Sequence, residues 1–345
     1  MRTKAAILWQ LHKPLIIDDV EVPALKRGQV LVKVLYSGIC RAQYNEMTGL
    51  KGSDKFLPHL LGHEASGIVQ DTGLGITKVK KGDYVCLSWI KGKGLDAINS
   101  QYKLNGRLIN AGAVTTFSDY TVVSENRVTK ISKSLPPDSA AILGCAVVTG
   151  CGIMKNTVAA SKGSSVAIFG VGGVGLSTVL GAKLQGCSTI IAIDTQPKKL
   201  QFAKKLGATH TFNAKDPQML NKIGHIVPGG PDFAVDASGQ KSAMENAFAA
   251  IKEKGGICVI AGNLNKDEKI QLHPFDLIKG KSLVGTWGGE TLPDRDIPAY
   301  ARAFGRGALR FDRMITHRFN LESINEAFET LVKGDAGRII IRLNQ

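Results

Sequence analysis

The sequence predicts an α/β protein in which a β-rich unit is joined to a doubly wound parallel sheet. Three observations carry that expectation. Residues 1 to about 146 are short β-branched runs punctuated by glycine and proline. From about residue 147, apolar strands alternate with helices, the rhythm of a parallel sheet. At 345 residues the chain also exceeds what one ordinary core holds, so two domains are expected.

Each element has a local reason. LIIDDVEV, QVLVKVLYSGI, ASGIVQDTG, DYVCLSWI, FSDYTVV and RVTKIS read as strands bounded by turn residues, together a partly open barrel. SVAIFG is then a buried strand, VGLSTVLGAKLQG a helix and TIIAID a strand. PKKLQFAKKLG is a helix with proline near its start and glycine at its end. PDFAVDAS, AMENAFAAIKEKG and GICVIAG continue the alternation, and SLVGTW near 282–287 is the last strand. That strand lies on an edge able to pair across a two-fold axis. The tail adds a helix, INEAFETLVKG, and a strand, RIIIRL, free to rejoin the first unit. The expected division places residues 1–146 and 287–345 in one domain and 147–286 in the other.

Composition narrows the classes. Lys and Arg total 44 against 29 Asp and Glu, a formal net charge of +15. The cations are scattered, which favours a solvated surface over an anion-attracting site, and over nucleic-acid binding, for which no arginine-rich arm or stacking module is present. Six cysteines, at 40, 86, 145, 151, 187 and 258, form no C-x-x-C pair and no disulfide scaffold, so a reducing cytoplasm fits. The N-terminus lacks the pattern of a signal peptide. Residues Ser164 to Ala182 are apolar enough to resemble a membrane span, but their glycines fit a different device.

That device is Gly170-Val171-Gly172-Gly173-Val174-Gly175, a G-x-G-x-x-G turn between a strand and a helix. Gly170 allows the tight turn, Gly172 the approach of a pyrophosphate, and Gly175 close helix–strand packing. The helix start supplies free N–H groups and partial positive charge. Asp194 ends the next strand, where a carboxylate accepts from a ribose 2′-hydroxyl and repels a 2′-phosphate. No arginine follows in Thr195-Gln196-Pro197, so NAD is favoured over NADP. The competing role for Asp194 is to cap the helix led by Pro197.

Cys40 in SGICRAQYNE, His63 and Glu64 in LLGHEASG, and Cys145 in ILGCAVVTG hold chemistry suited to zinc: two thiolates, one imidazole and an open fourth position. Spacing alone does not establish the site. Taken singly, each cysteine reads as a small buried hydrophobe rather than a ligand, and His63 as a structural histidine.

Together, GHE at 62–64, GD at 82–83, TFSDYTVV at 116–123, LGCAVVTG at 143–150, IFGVGGVGLS at 168–177 and MITHRFNLESINEAF at 314–328 resemble the zinc-dependent medium-chain dehydrogenase/reductase family, in its alcohol-dehydrogenase-like branch. The resemblance spans nearly the whole chain. It implies a GroES-like first domain and a Rossmann NAD-binding domain, and, since members of the family are usually dimers or tetramers, a homo-oligomer. It also implies that Cys40, His63 and Cys145 hold a catalytic zinc, with Glu64 approaching the metal from behind. Arg41 and Arg338 would bind the pyrophosphate, Lys199 would lie near the adenosine ribose and Thr149 near the nicotinamide. Trp89 and Leu57 would line the substrate cleft.

Two departures from the family pattern matter. No cysteine lies between Trp89 and Ser118, so the structural-zinc lobe is missing, and SWIKGKGLDAINSQYKLNGRL is expected as a replacement loop bringing Lys91, Lys93, Lys103 and Arg107 near the pocket. Ala42 stands where relatives carry the hydroxyl that passes the substrate proton outward. Gln43 stands where an Asp holds the zinc-bound histidine, and Asn45 where a relay histidine is frequent. Tyr44, Asn45, Glu46, His59 or water are the candidate substitutes. The expected activity is hydride transfer between NAD(H) and a small alcohol/carbonyl pair. The alternatives are reduction of a phosphorylated or nucleotide-linked sugar carbonyl, a zinc-free quinone or enoyl reductase, and a dinucleotide-binding protein without turnover.

Overall fold

In a computed structural model describing residues 1–343, the first unit contains a closed five-stranded barrel. Its strands are β1 (Arg2–Leu8), β2 (Ile16–Glu21), β4 (His59–Leu60), β7 (Gln101–Leu104) and β8 (Arg107–Asn110), in the order β1-β2-β7-β8-β4. Opposite charges face each other along β1 and β2, where Arg2 lies opposite Glu21 and Lys4 opposite Asp19. The interior is filled by Ala5, Ile7, Val20, Leu60, Tyr102, Leu104, Ile109 and Ala111.

This corrects two expectations. The barrel closes rather than staying partly open, and the presumed replacement loop is what closes it, through the β7–β8 hairpin. Asn105 and Gly106 at its tip both hold positive φ, 50° and 80°, as a tight two-residue hairpin turn requires.

Beside the barrel lies a seven-stranded sheet. It contains β3 (Gln29–Ile39), β5 (Glu64–Thr72), β6 (Tyr84–Ser88), β9 (Tyr120–Ser124), β10 (Val128–Lys130), β17 (Ile315–Asn320) and β18 (Arg338–Arg342). The tail does rejoin the first unit: β18 pairs antiparallel with β3, Ile339 opposite Ile39.

The second unit is a six-stranded parallel sheet in the order β13-β12-β11-β14-β15-β16. Its strands are β11 (Ser165–Phe169), β12 (Thr189–Asp194), β13 (His210–Asn213), β14 (Phe233–Asp236), β15 (Ile257–Ile260) and β16 (Ser282–Gly285). Alternate residues enter different cores: Val166 and Ile168 pack on one face, Ala167 and Phe169 on the other. Burial on both faces explains the continuous apolar runs. The last strand ends at Gly285, so Trp287 lies beyond it, 76% exposed. The apolar stretch from Ser164 is divided between β11 and a helix, and no single helix among the described residues is long and apolar enough to cross a membrane.

Candidate active site and metal centre

Three chain reversals bring the candidate ligands together. Cys40 follows β3 and precedes helix α1 (Arg41–Met47), in extended backbone. His63 precedes β5, after Gly62 at φ +91°. A Cβ on Gly62 would collide with Thr116 and the Phe117 backbone, so the turn that presents His63 requires glycine. Cys145 follows α2 (Pro137–Ala141) and a 3₁₀ turn (Ile142–Gly144), and immediately precedes α3 (Ala146–Gly152). One ligand atom from each of Cys40, His63 and Cys145 lies within 4.8 Å of the others.

Their chemistry fits a zinc ion. His63 Nε2 is buried without a hydrogen-bond partner among the described residues. A hydrogen bond from the Cys145 thiol holds Cys40 well below the usual thiol range, against burial and with help from His63 and Arg338. The same bond, with burial, pushes Cys145 well above it. Two sulfurs close enough to interact, beside a buried imidazole nitrogen, are a donor set that a divalent cation completes.

Glu64, fully buried, directs Oε1 to the Arg338 guanidinium, and its Oε2 has no partner among the described residues. Gly38 makes room for the pair, since a Cβ there would meet both side chains. Arg338 was expected at the pyrophosphate. It is 4% exposed, bonded to Glu64, and its side chain also packs against Gly173. It therefore stands between the thiol cluster and the glycine-rich turn.

That turn follows β11 and opens α4 (Gly173–Leu184), with Gly172 as its first flanking residue. A side chain on Gly170 would strike Ser238 and one on Gly175 the Gly170 carbonyl, whereas Gly172 faces open space. The two crowded positions and the open one match the division of labour expected for a dinucleotide turn, with Val174 inside the helix. Asp194 accepts from Val171 N–H at 2.9 Å and Gln196 N–H at 3.0 Å. Its carboxylate thus braces the turn and the entry to α5 (Pro197–Leu206), although Gln196, not Asp194, is the cap residue. Further lone pairs remain on both oxygens.

Other expected residues fall as follows. Gln43 does not hold His63; its Oε1 accepts from the Cys40 N–H at 3.3 Å and caps α1. Ala42 is half-buried and Arg41 exposed, its guanidinium 5.2 Å from the Tyr44 ring centroid. Thr149 is buried on α3, its hydroxyl without a partner among the described residues, and Lys199 is half-buried on α5. Trp89 meets Trp287 edge-on at 5.1 Å. Leu57 packs against the first unit's core.

A cavity of about 250 Å³ opens at His63, with Gln43, Glu46, His59, Asn110 and Thr115 in its wall. No lysine or arginine lines it. Lys91 pairs with Asp96, Lys103 lies opposite Glu21 and Arg107 covers the Trp9 ring, so the expected cationic loop does not face this cavity. Sequence reading missed the Asp54–His59 contact of 2.7 Å at its rim and the partnership of Trp89 with Trp287. Only a histidine five residues after an aspartate hinted at the first, and nothing hinted at the second.

Comparisons with known proteins agree. Residues 26–133 match the model of the alcohol dehydrogenase GroES-like domain, and 173–305 that of the zinc-binding dehydrogenase. Alcohol dehydrogenase 1 of Petunia hybrida is 32% identical over 372 residues, covering 99% of this chain and 97% of its own. Alcohol dehydrogenase 1 of Solanum tuberosum is 33% identical over 371 residues, with the same coverage. Among solved structures, benzyl alcohol dehydrogenase from Acinetobacter calcoaceticus superposes with a TM-score of 0.91 at 27% identity, each chain fully covered. The alcohol dehydrogenase zinc-binding domain protein from Burkholderia ambifaria gives 0.92 at 27% identity, also with both chains fully covered. A GroES-like β unit, a Rossmann sheet and a joined thiol–imidazole cluster are thus one inherited arrangement, and the chain belongs to the zinc-dependent medium-chain dehydrogenase/reductase family, in its alcohol-dehydrogenase-like branch.

Proposed function

We propose that the protein transfers hydride between NAD(H) and a small alcohol/carbonyl pair at one zinc held by Cys40, His63 and Cys145. The convergence of those three donors within 4.8 Å carries the reading. A bound zinc supplies Lewis acidity toward the substrate oxygen. The chain's own groups do the rest. Glu64, fixed by Arg338, stands behind the thiols as a reserve acceptor. The α4 N-terminus and Gly172 receive the pyrophosphate, with Arg41 and Arg338 as cations, Lys199 near the ribose and Thr149 near the nicotinamide. Asp194 supports NAD over NADP, because its carboxylate repels a 2′-phosphate. Trp89, with Trp287 against it, and Ala42 border the substrate.

The division into 1–146 with 287–345, and 147–286, is supported by β18 rejoining β3 while β11 to β16 form their own sheet. A homo-oligomer is supported by the outer edge of β16, which pairs with no described strand, and by Val284, Ile278 and Trp287 exposed near it. Free thiols at all six cysteines are compatible with a reducing cytoplasm.

The test is zinc content together with NAD reduction across an alcohol panel. One zinc per chain is expected, with turnover lost in Cys40→Ala and His63→Ala. A zinc-loaded protein that binds NADH yet turns over no alcohol, aldehyde or ketone would be a binding protein instead.

A further inference from the structure

We propose that Trp287, clamped by Glu290, determines the substrate class: with Trp89 it forms an aromatic corner beside the metal centre that selects alcohols and aldehydes carrying a flat aromatic ring. This rests on the dehydrogenase reading above and adds the substrate class to it. Trp287 is 76% exposed, yet the turn that carries it is tightly held. That turn, residues 286–290, joins β16 to the helix Pro293–Gly305. Three consecutive residues in it have left-handed backbone, Gly288 at φ 67°, Gly289 at 68° and Glu290 at 46°. A glutamate enters that region only at an energetic cost, and such a conformation persists where its surroundings over-determine it.

The Glu290 carboxylate supplies that determination. Its Oε1 accepts from the Trp287 N–H at 3.1 Å and its Oε2 from the Thr286 hydroxyl at 2.9 Å, and the Thr157 hydroxyl donates to Oε2 as well. Asn156 Nδ2 donates to the Gly289 carbonyl at 3.0 Å. A Cβ on Gly289 would strike the Thr149 carbonyl on α3, and one on Gly288 would meet Ile90 and the Trp89 ring. Both glycines are thus needed to press the turn onto Trp89 and onto α3, the helix that begins immediately after Cys145. A strained and clamped turn that holds a large apolar ring in the open presents that ring to something outside the fold.

The shape of the corner names the ligand. The two indoles meet at 5.1 Å with their planes 79° apart. Trp89 Nε1 is buried, has no oxygen or nitrogen partner among the described residues, and is directed at the Cys145 sulfur. One wall of the corner therefore starts at a proposed zinc ligand. A flat ring entering a right-angled corner meets one indole in an offset stack and the other edge to face, the two arrangements that aromatic quadrupoles favour. A saturated ring of equal size gains contact area but neither arrangement. The cations that flank Trp89 are engaged, Arg127 by the Trp89 carbonyl and Lys91 by Asp96, so the corner offers little to an anionic substrate group.

The experiment uses full-length, zinc-loaded enzyme with NAD and compares kcat/KM for benzyl alcohol and cyclohexylmethanol, which share a carbon skeleton and differ in flatness and π electrons. The ratio of the two is read in wild type, Trp287→Ala, Trp287→Phe and Glu290→Ala. Wild type should prefer benzyl alcohol. Because intrinsic reactivity also favours the benzylic carbon, the change of the ratio between variants is the measure. Trp287→Ala should lower it about tenfold, and Trp287→Phe, which keeps an aromatic wall, should retain most of it. Glu290→Ala frees the turn and should lower the ratio through a higher KM for benzyl alcohol. A wild-type ratio in Trp287→Ala, or a Trp287→Phe ratio as low as that of Trp287→Ala, would overturn the corner. Equal losses on both alcohols in Glu290→Ala would overturn the clamp. A changed oligomeric state in Trp287→Ala with an unchanged ratio would make the residue a subunit contact instead. Wild type that turns over no alcohol, aldehyde or ketone would sink the dehydrogenase reading and the corner together, whereas an active wild type whose ratio ignores Trp287 sinks the corner alone.

Discussion

Asp194→Ala separates two jobs of one carboxylate. In the folded chain both oxygens are engaged, Oδ2 by the Val171 N–H and Oδ1 by the Gln196 N–H. Hydrogen bonds to a charged group contribute about 1.5–3 kcal/mol each, and a buried N–H left without a partner costs about 1–3 kcal/mol. Val171 is fully buried and Gln196 half-buried, so the water that replaces the carboxylate reaches the second N–H more readily than the first. The cofactor-free variant should therefore lose about 2–4 kcal/mol in urea unfolding. Affinity should change separately. Losing the proposed ribose contact of about 1.5–3 kcal/mol weakens NADH roughly ten- to a hundredfold. NADPH loses no such contact and gains relief from charge repulsion, so its affinity should hold or improve. Fluorescence titration of both cofactors reads this directly. Equal weakening of the two would mean that Asp194 acts only as a brace for the turn, and the preference for NAD would lose its physical basis.

Other perturbations test the surrounding parts. Arg338→Met strands a fully buried Glu64 and should cost about 3–5 kcal/mol; the double variant with Glu64→Gln should recover much of it in urea unfolding, and purely additive losses would deny the coupling. Ala42→Ser should raise kcat for alcohol oxidation about tenfold, because it places beside Cys40 a hydroxyl able to pass a proton; an unchanged kcat would show that another group already serves. Zinc affinity should rise with pH, because binding displaces the thiol proton. Between the lowered titration of Cys40 and the raised one of Cys145 only one proton is held, so competition with a chelator should show about tenfold per pH unit. About a hundredfold per unit would mean two independent thiols.

What could be read from the sequence follows from how local each signal is. The alternation from Ser165 onward is local, because strands buried on both faces must be continuously apolar and their helices must carry caps such as Pro197 and Gly207. The glycine turn is local for the same reason: one backbone geometry demands three glycines at fixed offsets. The metal cluster is non-local. Only its resemblance to a family joined Cys40 to Cys145, and the fold joins them through strands far apart in sequence. The β7–β8 hairpin does have a local signal, Asn105-Gly106 between QYKL and RLIN, but four-residue strands on either side are too short for alternation to mark them out. Gln43 was misplaced because an amide near a histidine has two uses, and the backbone of Cys40 competes for it at shorter sequence range. Arg338 as a partner of Glu64 had no local signal at all, since 274 residues separate them.

That last contact bears on why the tail returns to the first unit. The register of β18 on β3 sets Ile339 opposite Ile39, which brings Arg338 beside Cys40 and Glu64. A buried ion pair is a weak source of net stability, since desolvating both charges offsets most of their attraction. Apolar packing by Ile339, Ile340 and Ile341 already anchors the strand. The guanidinium therefore matters through what it touches. It neutralises Glu64, favours the thiolate of Cys40 and rests on Gly173 at the head of the helix proposed to take the pyrophosphate. One cation delivered by the last strand thus faces the charge on the metal side and the charge on the cofactor side at once. A truncation before β18 would remove both effects together, even though every proposed zinc ligand lies in the first 145 residues.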